Sequence, residues 1–376
     1  MFGFVVAANG DSRCGWIVGS GRVGCGVVAL LGAAAVGSLA ASSVGAATAT
    51  GGGARLVYLT RSARHPAGTV WDAAADGSNR VAVATGALQA MISPDAANVA
   101  LIKSDPSGAS LDVVPSLHLA LFDASVDAMP LRQLLHKQSL DLVGWAPDSR
   151  KLAVLDDDGL TVVDLASGAK HVVARGDIGA ASFSPSGGQL VYSSFGLPNP
   201  GGACPNLFVV NADGSGTHAL THDGVSDDPV WGPHQIAFSR SPGCIGPYPP
   251  PSQVWLMNPD GSGAHQLTHV RFAARSPGLT PVAWSNDGRR LLAERIAIVA
   301  ARSSAWAVEI PNGHARDLTS RTQNTIGVAL SHDGTTVLAA LGPLHDPPHE
   351  TVVTIPWQGG HPHVLARHAD TPSWTK

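Results

Sequence analysis

Two segments of this 376-residue chain nearly copy one another, and this repetition constrains the fold more than any other feature. Residues 207–221 read LFVVNADGSGTHALT, and residues 254–268 read VWLMNPDGSGAHQLT. Each contains an apolar strand, a turn built on Asp-Gly and a second short strand, because Gly accepts the positive φ that a tight hairpin requires. Weaker copies begin at Val70 and Ala305. The chain is therefore predicted to be an array of β-hairpins.

A second module alternates with this hairpin. It consists of an aromatic or apolar residue, a turn built on Pro or Asp, and an apolar strand, as in WAPD followed by KLAVL. The first residues of these modules, here called anchors, are Ile92, Trp145, Phe183, Trp231, Trp284, Leu330 and Trp374. Their spacing of roughly 40–50 residues is that of a four-stranded blade. The anchors are expected to be packing residues, because they recur with the repeat.

The last anchor, Trp374, has no complete module after it, whereas the strands that would complete the module stand at residues 55–83. We therefore expect an all-β fold: a β-propeller of seven four-stranded blades, closed by pairing of the C-terminal strand with the N-terminal blade. Closure removes free sheet edges, and it predicts a buried Trp374. A pair of β-sandwiches or an unclosed solenoid is the alternative.

The N-terminal segment has a different composition. Arg13 and Arg22 precede an uncharged, Ala- and Gly-rich run at residues 26–44, which predicts a signal peptide. A retained membrane anchor is the alternative. Residues 1–49 are accordingly assigned to export or anchoring, and residues 50–376 to a single propeller domain. We expect a periplasmic, extracellular or envelope-associated protein that contacts the membrane only if this segment is not cleaved.

Cys204 and Cys244 are the two cysteines that follow the export segment. They precede equivalent strands of consecutive modules, and exported proteins reside where disulfides persist. The sequence therefore predicts a Cys204–Cys244 disulfide.

Charge and motifs indicate few functions. The net charge of −4 and the lack of a dense Lys/Arg cluster give no reason to expect a nucleic-acid partner. The sequence has no Gly-x-Ser-x-Gly elbow, His-Glu-x-x-His, Cys-x-x-Cys or phosphate loop. The densest histidine group, at His345 and His349, contains two prolines and is more typical of a solvated loop than of a metal site. We expect no catalytic residue, metal or cofactor, and a monomer.

The segments WSNDGRRLLAE and VWLMNPDGSGAHQLT resemble the WD40-like (PD40) repeats of the TolB β-propeller family. The resemblance covers most of residues 55–376 and implies the propeller fold. The chain differs from TolB in having seven anchors rather than six blades, and in lacking the α/β domain that precedes TolB's propeller.

The expected topology places function on one face of the disc. Second-to-third strand loops and blade-to-blade loops share that face, here called the long-loop face. Its longer insertions are predicted at residues 103–116, 195–205, 241–252 and 341–349. Binding residues tend to lie on such loops.

Three carboxylates, Asp141, Asp228 and Asp370, precede anchors and are predicted to surround the mouth of the central channel on this face. Asp228 and Asp370 are expected to occupy equivalent positions. The alternative is that each caps a turn. Tyr248, in the proline-rich loop, is a further predicted binding residue.

These features lead to one main functional hypothesis. The protein is predicted to be an exported, non-catalytic binding scaffold of the cell envelope that recognises a protein, peptide or glycan on the long-loop face. The alternative is a metal-dependent propeller hydrolase or lyase with its site in the central channel. A purely structural spacer is a third hypothesis.

Overall fold

A computed structural model of the chain describes residues 54–62, 65–116, 131–196, 204–243, 250–272, 278–295, 303–319, 324–331, 333–342 and 350–375. The regular elements in this part of the chain are all β-strands. It contains no helix that is long and apolar enough to cross a membrane. The predicted export segment, residues 1–49, lies outside the described residues, and so its assignment stays a prediction.

The strands form one seven-stranded sheet and five four-stranded blades. Sheet A contains β1 (Arg55–Ser62), β2 (His65–Ala74), β3 (Val81–Ile92), β4 (Asn98–Asp105), β5 (Gly108–Pro115), β6 (Arg132–Lys137) and the C-terminal strand β27 (Ala369–Trp374). Blade B contains β7 (Leu140–Trp145), β8 (Lys151–Asp156), β9 (Gly159–Asp164) and β10 (Lys170–Arg175). Blade C contains β11 (Ile178–Phe183), β12 (Gln189–Phe195), β13 (Pro205–Asn211) and β14 (His218–Ala219).

The remaining three blades follow in chain order. Blade D contains β15 (Ser226–Trp231), β16 (Ile236–Arg240), β17 (Gln253–Met257) and β18 (His265–Gln266). Blade E contains β19 (Thr280–Trp284), β20 (Arg290–Arg295), β21 (Ser304–Glu309) and β22 (Ala315–Asp317). Blade F contains β23 (Asn324–Leu330), β24 (Thr336–Gly342), β25 (Thr351–Pro356) and β26 (His363–Arg367). Consecutive strands within each blade pair antiparallel, as in a propeller.

The expectation of seven separate four-stranded blades is corrected, because the described structure has five of them. The difference lies in β3, a single strand of 12 residues. Its first part pairs with β2 and its last part with β4, and Ala87 pairs with Gly68 on one side and Lys103 on the other. Since no turn interrupts β3, the strands on both sides belong to one sheet.

The C-terminal strand pairs with β1, as the sequence predicts. Just beyond the pairing, the Arg55 N–H donates to Thr375 Oγ1 at 2.8 Å, and the Thr375 N–H donates to the Arg55 carbonyl at 2.9 Å. The Ile92 N–H donates to Ser373 Oγ at 3.0 Å, which ties β27 to the end of β3. Trp374 is half-buried rather than buried, because it lines the central cavity described below.

Apolar layers join neighbouring sheets, and one of them joins the first and last parts of the chain. Leu338 and Val352 of blade F pack with Leu56 and Tyr58 of sheet A, and all four are fully buried. Each fully buried side chain of this size contributes about 1.5–3 kcal/mol relative to exposure. Blade F is therefore held against the sheet that contains both ends of the described chain.

Two anchor tryptophans connect neighbouring sheets through their indole N–H groups. Trp145 Nε1 donates to the Met91 carbonyl in sheet A, and Trp284 Nε1 donates to the Val230 carbonyl in blade D, each at 3.1 Å. In both cases the acceptor immediately precedes the anchor of the preceding module. This geometry gives the repeated tryptophans a structural role between blades.

The connections between the second and third strands differ in length between two parts of the molecule. In sheet A and blade B each of them has two residues: 63–64, 106–107 and 157–158. The predicted insertion at residues 103–116 is therefore wrong, because β4 and β5 form a hairpin that continues to the pair Asp105–Gly108. In blades C to F the connections are longer: residues 196–204, 241–252, 296–303 and 343–350. The long connections thus belong to four consecutive blades.

Candidate functional site

A cavity of about 600 Å³ lies where the innermost strands converge. Its wall comes from β7, β11, β15, β19, β23 and β27, from the turns that follow some of them, and from Glu294 of β20. The wall contains the anchors Trp145, Phe183, Trp231, Trp284, Leu330 and Trp374. Two carboxyl groups, those of Asp228 and Glu294, lie in this wall of mixed apolar and polar groups. A small pocket with few convergent polar groups is the usual form of a ligand site.

Strand register shows which residues are equivalent around the cavity. Asp141 pairs with Leu155, Asp227 with Ser239, Thr280 with Glu294, and Asp370 with Leu59. Each first-named residue stands four positions before its anchor. The equivalent of Asp141 and Asp370 in blade D is therefore Asp227, and not Asp228 as the sequence predicted.

Asp228 occupies an extra position in a bulge. The register shifts between Asp227 and Val230, and Asp228 has φ of 49°. The residue after Asp370, Thr371, has φ of 43° beside the register shift between β1 and β27. Such bulges re-aim side chains, and this one directs Asp228 to the cavity.

The carboxyl group of Asp228 is buried and held by hydroxyl groups. Ser239 Oγ donates to Asp228 Oδ2 at 3.1 Å, and Thr280 Oγ1 lies 3.5 Å from the same oxygen. Burial raises the pKa of Asp228 well above its ordinary value, and the charges of Asp227 and Glu294 raise it further. A carboxyl group in this environment favours a proton or a cationic partner.

Asp227 lies beside Asp228 and points towards blade C. It accepts a hydrogen bond from Ser193, and its Oδ1 accepts one from the Asp228 N–H at 2.8 Å. Burial and, to a smaller extent, the charge of Asp177 raise the pKa of Asp227. Its side chain is half-buried and does not line the cavity.

Glu294, which the sequence analysis did not select, is the second cavity carboxyl. Its side chain is only 4% exposed, and it accepts a hydrogen bond from the Gly327 N–H. Its Oε1 has no hydrogen-bond partner among the described residues. Burial raises the pKa of Glu294 from 4.5 to about 8.

Asp141 and Asp370 are held at neighbouring strands and do not line the cavity. Gln89 Nε2 donates to Asp141 Oδ1 at 2.7 Å, while Gln89 Oε1 accepts the Leu142 N–H at 2.8 Å. Asp370 forms an ion pair with Arg61 at 3.0 Å, between β27 and β1. The structure therefore brings only Asp228, of the three predicted carboxylates, into the cavity.

Glu350 adds a further acid beside Asp370. Burial and the charge of Asp370 raise the pKa of Glu350 to about 7, against the opposing effect of Arg61. Burial also raises the pKa of Asp370, which Arg61 again opposes. Glu350, Asp370 and Arg61 thus form a charged cluster beside the paired strands β1 and β27. The ion pair between Arg61 and Asp370 joins those two strands.

Several predicted residues lie outside the described residues: Tyr248, Cys244, His345 and His349. Cys204 is half-buried and immediately precedes β13, and its pairing with Cys244 stays a prediction. Within the described ranges, no group of three or more His, Cys, Asp or Glu side chains is arranged to hold a metal ion.

Comparisons with known proteins agree with this architecture. No protein-family model matches the chain, and no curated protein matches it either. The β-propeller domain of the Trilobed protease from Pyrococcus furiosus is 12% identical, with 85% of this chain and 97% of that chain covered, at a TM-score of 0.61. That domain is described as having an open velcro topology, whereas β27 pairs with β1 here.

Two further solved structures are similar. Oligogalacturonate lyase from Vibrio parahaemolyticus is 11% identical, covers 84% of this chain and 85% of its own, and has a TM-score of 0.53. TolB from Acinetobacter baumannii is 15% identical, with 85% of this chain and 66% of TolB covered, at a TM-score of 0.49. No family model assigns the chain to PD40 repeats. At these identities the comparisons show one thing, that the chain has a β-propeller fold.

Proposed function

We propose that the protein is a non-catalytic binding scaffold of the cell envelope, which recognises a protein, peptide or glycan on its long-loop face. The observation that carries the proposal is the central cavity of about 600 Å³, with Asp228 and Glu294 in its wall. Glu294 stands one residue before the end of β20, next to the connection 296–303. The acidic end of the cavity is therefore the end nearest the second-to-third connections, whereas Pro147, Pro185 and Pro233 in its wall belong to the turns of the opposite face.

The asymmetry of these connections supports the same proposal. Blades C to F carry the long connections, and blades D and E carry the two cavity carboxyls. Loops over a rigid scaffold are frequent positions for binding residues. We propose that the long connections of blades C to F, including Tyr248, contact the ligand outside the cavity, together with Asp141 and Asp370 at the rim.

We further propose that the protein has the equivalent of seven blades. Sheet A would then supply two of them, which share β3: one from β27 to the first part of β3, and one from the last part of β3 to β6. The seven anchors support this count, because Ile92 and Trp374 end the two innermost strands of sheet A.

Export and a Cys204–Cys244 disulfide belong to the same proposal. The Ala- and Gly-rich run at residues 26–44 supports export, and an oxidising compartment would allow the disulfide. The bridge would join the connections of blades C and D on the long-loop face.

The second proposal is a metal-dependent hydrolase or lyase with its site in the channel. The similarity to oligogalacturonate lyase favours testing it, although that likeness shows the fold alone. This proposal predicts stoichiometric metal in the purified protein, and metal analysis distinguishes the two proposals.

The scaffold proposal is tested by screening residues 50–376 on defined peptide and glycan arrays. Ala283, which lines the cavity, is changed to Phe to fill it, and exposed Val364 on the outer strand β26 is changed to Phe as the matched control. We expect an array ligand that the wild type and Val364→Phe bind and that Ala283→Phe loses, with similar thermal unfolding for all three. Equal binding by all three proteins would place recognition outside the cavity, and an array without hits would contradict the proposal.

A further inference from the structure

Glu294 departs from the repeat at a position where the other modules have no charge. Its equivalents by strand register and repeat spacing are Leu59, Ile102, Leu155, Ser193, Ser239 and Ala340. A blade can therefore be built with an apolar or hydroxyl side chain at this position. The folding of blade E does not account for a glutamate there.

One carboxylate oxygen of Glu294 has no hydrogen-bond partner among the described residues, which points to a ligand at this position. Buried polar atoms in proteins are nearly always hydrogen-bonded, and leaving one unpaired costs about 1–3 kcal/mol. Glu294 Oε1 has no partner among the described residues, although the side chain is 4% exposed and lines the cavity. A ligand in the cavity that donates a hydrogen bond would satisfy this atom.

Charge determines which donor fits best. Asp228 also lines the cavity, and the charges of Asp227 and Glu294 act on it; Asp177 in turn acts on Asp227. The arginines that follow Ser239 and Glu294 in the chain have other partners: Arg240 forms an ion pair with Asp223 at 2.6 Å, and Arg295 stacks on the ring of Phe272. A cation in the cavity would therefore meet a surplus of acceptors.

The rest of the wall suits an organic cation. Trp145, Trp231, Trp284, Trp374 and Phe183 contribute to the lining. Aromatic faces attract ammonium and guanidinium groups, by about 0.5–1 kcal/mol when exposed and about 2 when desolvated. An inorganic cation would instead need several oxygen ligands, and the described residues provide no group of three.

We propose that the central cavity binds an organic ammonium group, such as a lysine side chain of a peptide, with Glu294 as its principal acceptor and Asp228 as a second. This inference rests on the proposed scaffold function and specifies the chemistry of its ligand.

The proposal also predicts proton release. At pH 7 the Glu294 carboxyl carries a proton, because burial raises its pKa to about 8. When the ammonium group binds, the Glu294 carboxyl loses its proton to solvent. The cavity thus gains the positive charge of the ligand and the negative charge of the carboxylate, and its net charge does not change. Because the ammonium group binds the ionised carboxyl, affinity should rise nearly tenfold for each unit by which the pH is raised, up to about 8.

The experiment compares two probes with the full chain at pH 6, 7 and 8 by ligand-observed NMR. Nα-acetyl-lysine amide carries the ammonium group, and Nα,Nε-diacetyl-lysine amide has the same backbone without the charge. We expect binding of the charged probe only. Glu294→Gln should weaken it at pH 7 by about tenfold or more, and should abolish its pH dependence. Asp260→Asn likewise replaces a carboxyl group by an amide, on an exposed turn, and should bind as the wild type does.

The other outcomes separate the inference from the proposed function. Equal binding of both probes, or unchanged binding by Glu294→Gln, would overturn the ammonium site while leaving the cavity a binding site. Failure of both probes would also overturn it, and array ligands lost in Ala283→Phe would then still support the scaffold. A flat pH profile would contradict the role of Glu294. Thermal unfolding of each variant checks that it is folded.

Discussion

Replacing Glu294 with Gln should change how the stability of the protein depends on pH. In the unfolded chain this carboxyl titrates near 4.5, whereas burial raises its pKa to about 8 in the fold. Between these values the folded state holds more protons than the unfolded state, so the free energy of unfolding falls as pH rises. The contribution of Glu294 is thus present at low pH and is lost as pH rises towards about 8.

The magnitude follows from that interval. Each pH unit between the two pKa values corresponds to about 1.4 kcal/mol, so Glu294 should account for a loss of about 4 kcal/mol between pH 5 and pH 9. Gln has nearly the same shape and does not ionise. We therefore expect Glu294→Gln to be similar to the wild type at pH 5 and about 4 kcal/mol more stable relative to it at pH 9.

Urea unfolding at pH 5, 7 and 9, followed by tryptophan fluorescence, measures this difference. Asp260→Asn serves as the control, because Asp260 lies on an exposed turn and its pKa is lowered by hydrogen bonds from Ser262. Its stability relative to the wild type should not show the same rise with pH. A gap between wild type and Glu294→Gln that changes by less than about 1 kcal/mol across this range would refute the reasoning.

Three further experiments test the fold. Deleting residues 369–376 removes β27 and exposes the edge of β1, so thermal unfolding should show a loss of several kcal/mol; an unchanged melting temperature would contradict closure. Trp284→Phe leaves the Val230 carbonyl without its indole donor, and urea unfolding should show a loss of about 1–3 kcal/mol, with no loss counting against the inter-blade bond. Thiol titration of the unreduced, denatured protein should find neither Cys204 nor Cys244 free, and two free thiols would exclude the disulfide.

The sequence predicts the repeated part of the fold well because its turns use strong local signals. Asp and Pro turns after the anchors and Gly turns in the hairpins place most strand boundaries without reference to tertiary contacts. The pairing of β27 with β1 follows from the incomplete last module. The continuity of β3 does not follow, because VAVATGALQAMI contains one Gly and no signal that distinguishes a blade boundary from an uninterrupted strand.

The site is less predictable, because it depends on exceptions to the repeat. Asp228 looks equivalent to Asp370 because each precedes a proline and an anchor, whereas the residue four positions before Trp231 is Asp227, and the bulge directs Asp228 to the cavity. Glu294 ends the segment RLLAE, whose counterparts QLVYS and QIAFS end in Ser. A charge in a position that is otherwise apolar or hydroxyl-bearing was the available signal. Its burial and its unmatched oxygen are visible only in three dimensions.

Proton release on ligand binding tests the central claim most directly. Calorimetric titration of Nα-acetyl-lysine amide into the protein at pH 7, in two buffers with different ionisation enthalpies, gives the number of protons released. The account predicts close to one proton, because Glu294 must ionise to accept the ammonium group, and none for Glu294→Gln. Binding of the probe by the wild type without proton release would contradict it.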